Sequence, residues 1–223
     1  MYETLGTLLT DYGSIFILRH GQTTPNSLGY WYNDDEEPLN ETGISQAREI
    51  SGVIEKIQPE IFYVSPLRRC IQTSELVLER VNPRDYVVMP ELAERNLKPL
   101  KGLDSKGIME KYGIEMDNPI TGRIDHLPEA ETSEQFRARV KRVFDFILEE
   151  SQGKRVLVVT HGGVMWAFLQ IYLHMDRIKS KTFQNCALLG MKRDGENFTP
   201  TISVNMREDW FSDFNPSWKG FQL

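Results

Sequence analysis

The chain has 223 residues, with 26 Lys and Arg against 32 Asp and Glu, and therefore a formal net charge of −6 at pH 7. Hydrophobic residues make up 40% and charged residues 26% of the sequence, which excludes wholesale disorder. A sequence pI of about 5.4 argues against a nucleic-acid-binding protein held by bulk positive charge. The net charge does not exclude a small anionic substrate, because a few arginines close together can bind one whatever the net charge of the chain.

The two cysteines are too few for a disulfide framework or a Cys-rich zinc site, and they favour a reducing compartment. Residues 156–175 carry no formal charge, but polar side chains and two glycines interrupt this segment, so no membrane span is expected. No basic stretch precedes an apolar run at the amino terminus, so no signal peptide is predicted. We therefore expect a cytoplasmic protein with a single domain over residues 1–223.

Short apolar runs alternate with helical patterns, which predicts an α/β fold with a mostly parallel sheet. The first elements in chain order are a strand at 15–18, a helix at 42–58, a strand at 61–64, a helix at 67–80 and a strand at 86–89. An insertion follows, and then a helix that begins at the capping box of Thr132 and Gln135. The remaining predicted elements are a strand at 156–159, a helix at 162–174, and late strands at 188–191 and 202–204 near a sheet edge.

The predicted insertion or lid covers residues 98–131, which hold three prolines, four glycines and one short helix near 105–112. Its five basic residues are Lys98, Lys101, Lys106, Lys111 and Arg123. They suggest a substrate with a second anionic group, which Arg123 would help to bind, although a solvated charged face explains them equally well. The last fourteen residues hold five aromatic side chains, for which docking on the domain and covering a partner subunit of a homo-oligomer both stay open.

Three predicted strands end in polar or charged residues. The segments are Arg19-His20-Gly21, Ser65-Pro66-Leu67-Arg68-Arg69 and Thr160-His161-Gly162. Because the carboxyl ends of parallel strands meet at one edge of a sheet, two of the four histidines are expected beside two or three arginines. Guanidinium groups match phosphate oxygens in pairs, so this edge suits a phosphate group.

The segment Arg19-His20-Gly21-Gln22-Thr23 resembles the signature of the histidine phosphatase superfamily, the phosphoglycerate mutase-like proteins. Further segments that resemble this family, in its order, lie at 38–47, 65–73, 92–94 and 160–162, so the resemblance covers roughly residues 14–190. It implies a three-layer α/β/α sandwich around a mostly parallel central sheet. It also implies a reaction on a small phosphorylated substrate without a cofactor, and no Asp and His grouping has convincing metal-ligand spacing.

The resemblance also implies a role for each matching residue. His20 is the nucleophile that becomes a phosphohistidine, and Arg19, Arg69 and His161 surround the phosphate. Glu94 is the general acid that protonates the leaving alkoxide and then the base that activates water. We expect charge repulsion from the two arginines to lower the pKa of His20 and keep it neutral at pH 7.

Three further positions, Thr23, Asn26 and Gly162, match residues that line the phosphate side of the family's pocket. Asn185 resembles a family position near the pocket more weakly. For the other polar residues of these segments, a solvated surface role is expected for Arg68, Glu75, Glu91 and His126.

The family contains both phosphatases and mutases. The chain resembles mutases around Leu92-Ala93-Glu94-Arg95. However, Ser105 stands where mutases have a lysine, and Leu97 stands where they have a tyrosine. The paired arginines of mutases are not found after Tyr112-Gly113. We therefore predict a metal-independent phosphomonoester hydrolase. A phosphoglycerate mutase-type phosphoryl transferase and a non-catalytic member that only binds a phosphorylated ligand are the alternatives.

Overall fold

A computed structural model describes residues 14–32, 34–81, 85–116, 121–175 and 183–206. The strands in these ranges are β1 (Ser14–Arg19), β2 (Ile61–Val64), β3 (Val87–Val88), β4 (Val156–Thr160), β5 (Phe183–Asp194) and β6 (Asn197–Met206). The helices are α1 (Thr24–Ser27), α2 (Glu41–Ile57), α3 (Arg68–Leu78), α4 (Ser105–Tyr112), α5 (Ser133–Glu150) and α6 (Gly162–Leu173). The aromatic carboxyl-terminal segment predicted to dock lies outside the described residues.

All six strands form one sheet in the order β3-β2-β4-β1-β5-β6. The four strands from β3 to β1 are parallel, whereas β5 runs antiparallel to β1, and β6 antiparallel to β5. The expectation of an α/β fold with a mostly parallel sheet is thus confirmed. In the parallel part Arg19 pairs with Thr160, so the predicted polar ends of β1 and β4 lie side by side.

Alternate residues of β1 face two separate apolar cores, because successive side chains of a strand point to opposite faces. Ile15 and Ile17 join the core that α5 and α6 cover, while Phe16 and Leu18 join the core that α2 and α3 cover. Both faces of the sheet are therefore buried, which explains why the central strands read as continuous apolar runs. The result is the expected three-layer α/β/α arrangement.

Local capping signals fix where two of the main helices, α2 and α5, begin. At the start of α5, Thr132 Oγ1 accepts from Gln135 N at 3.2 Å and Gln135 Oε1 accepts from Thr132 N at 3.0 Å, which confirms the predicted capping box. Asn40 caps α2 by accepting from Gly43 N at 2.9 Å. Among the described residues, no helix is both long enough and apolar enough to cross a bilayer.

Two strand predictions need correction. The third strand is only Val87–Val88 and lies at the edge of the sheet. Both valine side chains are exposed, so the apolar run here does not mark a core position. The late strands are far longer than predicted and form an antiparallel pair, β5 with β6. The polar Gln184 and Asn185 concealed the start of β5 from a hydrophobicity pattern.

The region predicted as an insertion has a small apolar core of its own. Seven buried side chains form it: Leu97, Leu100, Ile108, Ile114, Met116, Ile124 and Leu127. The predicted short helix is confirmed as α4, and Trp31 and Tyr32 from the loop before α2 pack against this core. The insertion is therefore attached to the segment that follows β1, next to the polar edge of the sheet.

Candidate active site

The polar edge forms where β2, β4 and β1 end beside one another. The backbone amide of His20 donates to Thr160 O at 3.0 Å, and that of Ser65 donates to Val159 O at 3.0 Å, so the strand pairing continues into the polar residues. The chain then turns sharply, and a Cβ on Gly21 would lie only 2.6 Å from Gly43 O. This close backbone contact requires glycine and holds the His20 loop against the start of α2.

His20 is buried, with 3% of its surface exposed, and one of its ring nitrogens is fixed by the backbone. Its Nδ1 lies 2.7 Å from Gly21 O, a carbonyl that can only accept, so Nδ1 carries the proton and Nε2 keeps its lone pair. Burial first, and then repulsion from Arg69 and Arg19, holds the pKa of His20 well below the ordinary 6.5. The direction agrees with the prediction, but burial is a larger cause than the arginines.

Arg19 ends β1 and Arg69 lies in the first turn of α3, and each is anchored through a single guanidinium nitrogen. Arg19 Nη1 donates to Phe183 O at 2.6 Å, and Arg69 Nη1 donates to Asp34 O at 2.9 Å. The Nε of each is buried and has no hydrogen-bond partner in the described part of the chain. Buried, unpaired guanidinium donors are costly, so this pair is built to receive an anionic oxygen ligand.

Glu94 is held by two backbone amides. Gly163 N donates to its Oε2 at 2.9 Å, and Arg95 N donates to its Oε1 at 2.9 Å. Gly163 lies in the first turn of α6, where the amides are not paired within the helix. The polar start of α6 therefore orients a carboxylate carried by a loop far away in sequence.

Two predicted pocket residues, His161 and Thr23, are fully buried and do not line the cavity. The His161 ring lies edge-on to that of His20 with centroids 5.2 Å apart, and Ser65 Oγ lies 2.7 Å from its Nε2. Burial, followed by repulsion from Arg69 and His20, lowers the pKa of His161 well below 6.5. In the described structure His161 therefore lies behind His20, and Thr23 behind Asn26. Their predicted roles at a phosphate group stay predictions.

Thr23 supports Asn26. Its Oγ1 accepts from Asn26 N and its own N donates to Asn26 Oδ1, both at 3.3 Å, in a capping box at the start of α1. Asn26 does line the cavity, as predicted, and Asn185 Nδ2 donates to its Oδ1 at 3.2 Å.

These residues surround a cavity of ≈ 530 Å³ at the carboxyl edge of the parallel strands. Seven lining residues form what we call the phosphate end: Arg19, His20, Asn26, Arg69, Glu94, Gly162 and Gly163. The structure thus brings together six of the eight predicted site residues on the cavity surface, and the other two directly behind it.

Sequence reasoning missed several residues of the site. Ser65 and Gly163 carry direct contacts to His161 and Glu94, and both could have been noticed because they sit at strand ends or beside a matched motif. Tyr30 and Trp31 also line the cavity, but no sequence signal placed their loop there. Asn185, which the sequence indicated only weakly, does line the cavity: it lies in an irregular stretch of β5, and its Nδ2 donates to His20 O at 3.3 Å.

The residues expected on the surface are confirmed there. Arg68, Glu75, Glu91 and His126 are exposed and do not line the cavity. That Arg123 helps to bind substrate stays a prediction: in the described structure its Nη1 donates to Glu115 O at 2.8 Å, and it lies outside the cavity lining.

Comparison with known proteins places this arrangement in a family. The model of the histidine phosphatase superfamily (branch 1) matches residues 15–204. The chain is 31% identical to a metal-independent phosphoserine phosphatase of Arabidopsis thaliana, covering 74% of this chain and 70% of the relative. It is 29% identical to a 2,3-bisphosphoglycerate-dependent phosphoglycerate mutase of Corynebacterium kroppenstedtii, covering 74% of this chain and 78% of the relative.

Solved structures show the same fold. A phosphoglycerate mutase from Bacillus anthracis superposes with a TM-score of 0.71 at 22% identity, covering 88% of this chain and 95% of that one. At this identity the likeness establishes the fold alone.

Proposed function

The chain belongs to the histidine phosphatase superfamily (branch 1), and from that membership we propose that it is a phosphatase that hydrolyses small phosphomonoesters through a phosphohistidine at His20. The single observation that carries the proposal is the hydrogen bond from His20 Nδ1 to Gly21 O at 2.7 Å. It leaves Nε2 as a neutral nucleophile beside two guanidinium groups.

The first step transfers the phosphoryl group. His20 Nε2 attacks phosphorus, the bond from phosphorus to the ester oxygen breaks, and Glu94, protonated at this stage, gives its proton to the leaving alkoxide. Arg19 and Arg69 hold the non-bridging oxygens, and their buried Nε donors offset the charge that these oxygens carry.

The second step releases orthophosphate. The Glu94 carboxylate takes a proton from water, the water oxygen attacks phosphorus, and the bond from phosphorus to Nε2 breaks. Both steps use the same side chains, so one set of residues catalyses the phosphoryl transfer and the hydrolysis. In this scheme positive charge comes from arginines, and no group of three or more His, Cys, Asp or Glu in the described ranges is arranged to hold a metal ion.

Mutase relatives make phosphoryl transfer between substrate hydroxyls the second candidate. A mutase must retain a substrate that carries two phosphate groups, which requires many cations. Among the described residues that line the cavity, the cationic ones are Arg19 and Arg69, which suffice for one phosphate. This count favours hydrolysis. The substrate class, the independence of metal ions and a cytoplasmic location are proposed together with the hydrolysis.

The test measures orthophosphate release from a panel of phosphomonoesters by the wild type and His20→Ala, with and without EDTA. We expect release that EDTA does not reduce and that His20→Ala abolishes, together with an acid-labile phosphoryl label on the wild type. Conversion of 3-phosphoglycerate to 2-phosphoglycerate with a bisphosphorylated primer, without net phosphate release, would instead identify a mutase. Turnover that survives in His20→Ala would contradict the proposed nucleophile.

A further inference from the structure

The charged groups of the cavity are confined to one end. Of the described residues that line it, the charged ones are Arg19, Arg69 and Glu94, all at the phosphate end. Two of these charges flank the start of α6: Arg19 Nε would lie 3.5 Å from a Cβ on Gly162, and Glu94 Oε2 accepts from Gly163 N at 2.9 Å. The other described residues that line the cavity carry no formal charge at pH 7.

The neutral part is unusually aromatic. Its apolar lining consists of Tyr30, Trp31, Met116, Trp166 and Phe183. Aromatic walls of this kind favour flat or apolar ligand surfaces, which they contact over a large area. Tyr30 and Trp31 are only half-buried, so part of each ring is open to a ligand.

The polar groups between these aromatic walls are neutral as well. They are Gln22, Gln46, Ser105, Gln184 and Asn185. Some are already committed: Gln46 Oε1 accepts from Gln22 N at 3.0 Å, and Ser105 Oγ accepts from Trp31 Nε1 at 2.9 Å. Asn185 Nδ2 is committed too, to His20 O at 3.3 Å and to Asn26 Oδ1 at 3.2 Å. The polar groups left over, such as the Gln184 amide, can bind a hydroxyl or an ether oxygen, but they cannot neutralise a carboxylate.

Three lysines of the insertion have interaction partners outside the cavity. Lys101 pairs with Asp34 at 2.8 Å, and Lys106 pairs with Glu110 at 3.7 Å. Lys111 Nζ lies 4.9 Å from the centroid of the Tyr112 ring. These lysines lie outside the cavity lining, as does Lys98, so the second anionic group that the sequence suggested finds no cation in this part of the described structure.

We propose, on the basis of the phosphatase function above, that the substrate is the phosphomonoester of an uncharged alcohol bearing an aromatic or similarly flat apolar group. The phosphate lies between Arg19 and Arg69, and the apolar group lies against Tyr30 and Trp31. The cavity of ≈ 530 Å³ is within the range of sites that hold ligands much larger than a three-carbon acid. A substrate carboxylate there would lose its hydration without gaining a cation from any of the described lining residues.

The experiment compares kcat/KM for three alkyl phosphates whose leaving groups are all alkoxides: 2-phenylethyl phosphate, ethyl phosphate and 3-phosphoglycerate. The expected order is 2-phenylethyl phosphate first by about tenfold or more over ethyl phosphate, and 3-phosphoglycerate last. Hydrolysis of 4-nitrophenyl phosphate that requires His20 tests the phosphatase function separately. If that function is present and 3-phosphoglycerate is preferred, the inference fails and the proposed function stands.

Variants locate the apolar site. Trp31→Ala and Tyr30→Ala should each lower kcat/KM for 2-phenylethyl phosphate by about tenfold more than that for ethyl phosphate. Phe146→Ala is the matched control, since Phe146 is 47% exposed on α5 and does not line the cavity. Equal losses for both substrates in correctly folded Trp31→Ala and Tyr30→Ala would overturn the assignment. The wild-type preference itself remains a test if either variant does not fold.

Discussion

The backbone amide of Gly163 donates a 2.9 Å hydrogen bond to the carboxylate of Glu94, a residue 69 positions earlier in the chain. A Cβ at position 163 would lie 2.2 Å from Glu94 Oε1, so no other residue fits without moving the carboxylate. The first turn of α6 therefore determines where the proposed general acid stands, although Glu94 itself belongs to a loop.

Gly163→Ala should lower kcat for alkyl phosphates by about 100-fold or more, because displacing a general acid removes most of its contribution. Turnover of 4-nitrophenyl phosphate should fall less, since its leaving group needs little protonation. Steady-state kinetics with both substrates measure the difference. Gly52→Ala in α2 is the control, because its Cβ would meet no atom closer than 3.8 Å. Equal losses with the two substrates would contradict this role of Gly163.

Arg139 acts as a positioning residue for the Glu94 loop. Its guanidinium donates to the carbonyl oxygens of Glu91, Ala93 and Glu94 at 2.6, 2.9 and 3.4 Å, and forms two bonds of 2.8 and 2.7 Å to the Glu131 carboxylate. A lysine cannot reproduce this fork of five contacts.

We expect Arg139→Lys to reduce kcat for alkyl phosphates by about 10–100-fold with a smaller change in KM, through misplacement of Glu94. The effect on 4-nitrophenyl phosphate should again be smaller. Arg142→Lys, on an exposed position of the same helix, should behave as the wild type. A loss confined to KM, or the same loss in Arg142→Lys, would show that Arg139 does not position the acid.

The two buried histidines should make stability depend on pH. The pKa values of His20 and His161 are both well below 6.5 in the folded protein, so below about pH 6.5 the unfolded chain binds protons that the folded protein does not. Stability must then fall as pH falls, by about 1.4 kcal/mol per pH unit for each histidine. The dependence ends only below the folded pKa values.

Urea unfolding at a series of pH values from about 6 to about 5 tests this linkage. His20→Gln should reduce the slope of the unfolding free energy against pH by about 1.4 kcal/mol per pH unit. An unchanged slope in His20→Gln would mean that His20 does not resist protonation in the folded state.

Cys70 and Cys186 should be inert thiols in the folded protein. Both are buried, and burial raises the pKa of each to about 12. The thiolate is the reactive form, so iodoacetamide at mildly alkaline pH should modify neither residue in the native state and both in urea. Mass spectrometry counts the adducts. Rapid modification of Cys70 in the native protein would show that the region behind His161 opens to solvent.

Much of the fold follows from local sequence patterns. The continuous apolar runs of β1, β2 and β4 predicted strands buried on both faces, and the spacing of Thr132 and Gln135 predicted the start of α5. Strand–helix alternation, together with the family resemblance, then placed His20, Arg69 and His161 at one edge of the sheet. These features were predictable because they depend on residues close together in sequence.

What only the tertiary structure decided depends on contacts between distant segments. Whether a residue lines the cavity or stands behind it, as His161 and Thr23 do, is decided by packing that no motif records. The same holds for the partners of the insertion's lysines and for the approach of Tyr30 and Trp31 to the cavity. The sequence by itself determined which residue types follow the parallel strands, and with them the chemistry that we propose for the phosphate end. The neutral, aromatic character of the remaining cavity arises from loops whose positions are set by long-range packing, and it became visible only in three dimensions.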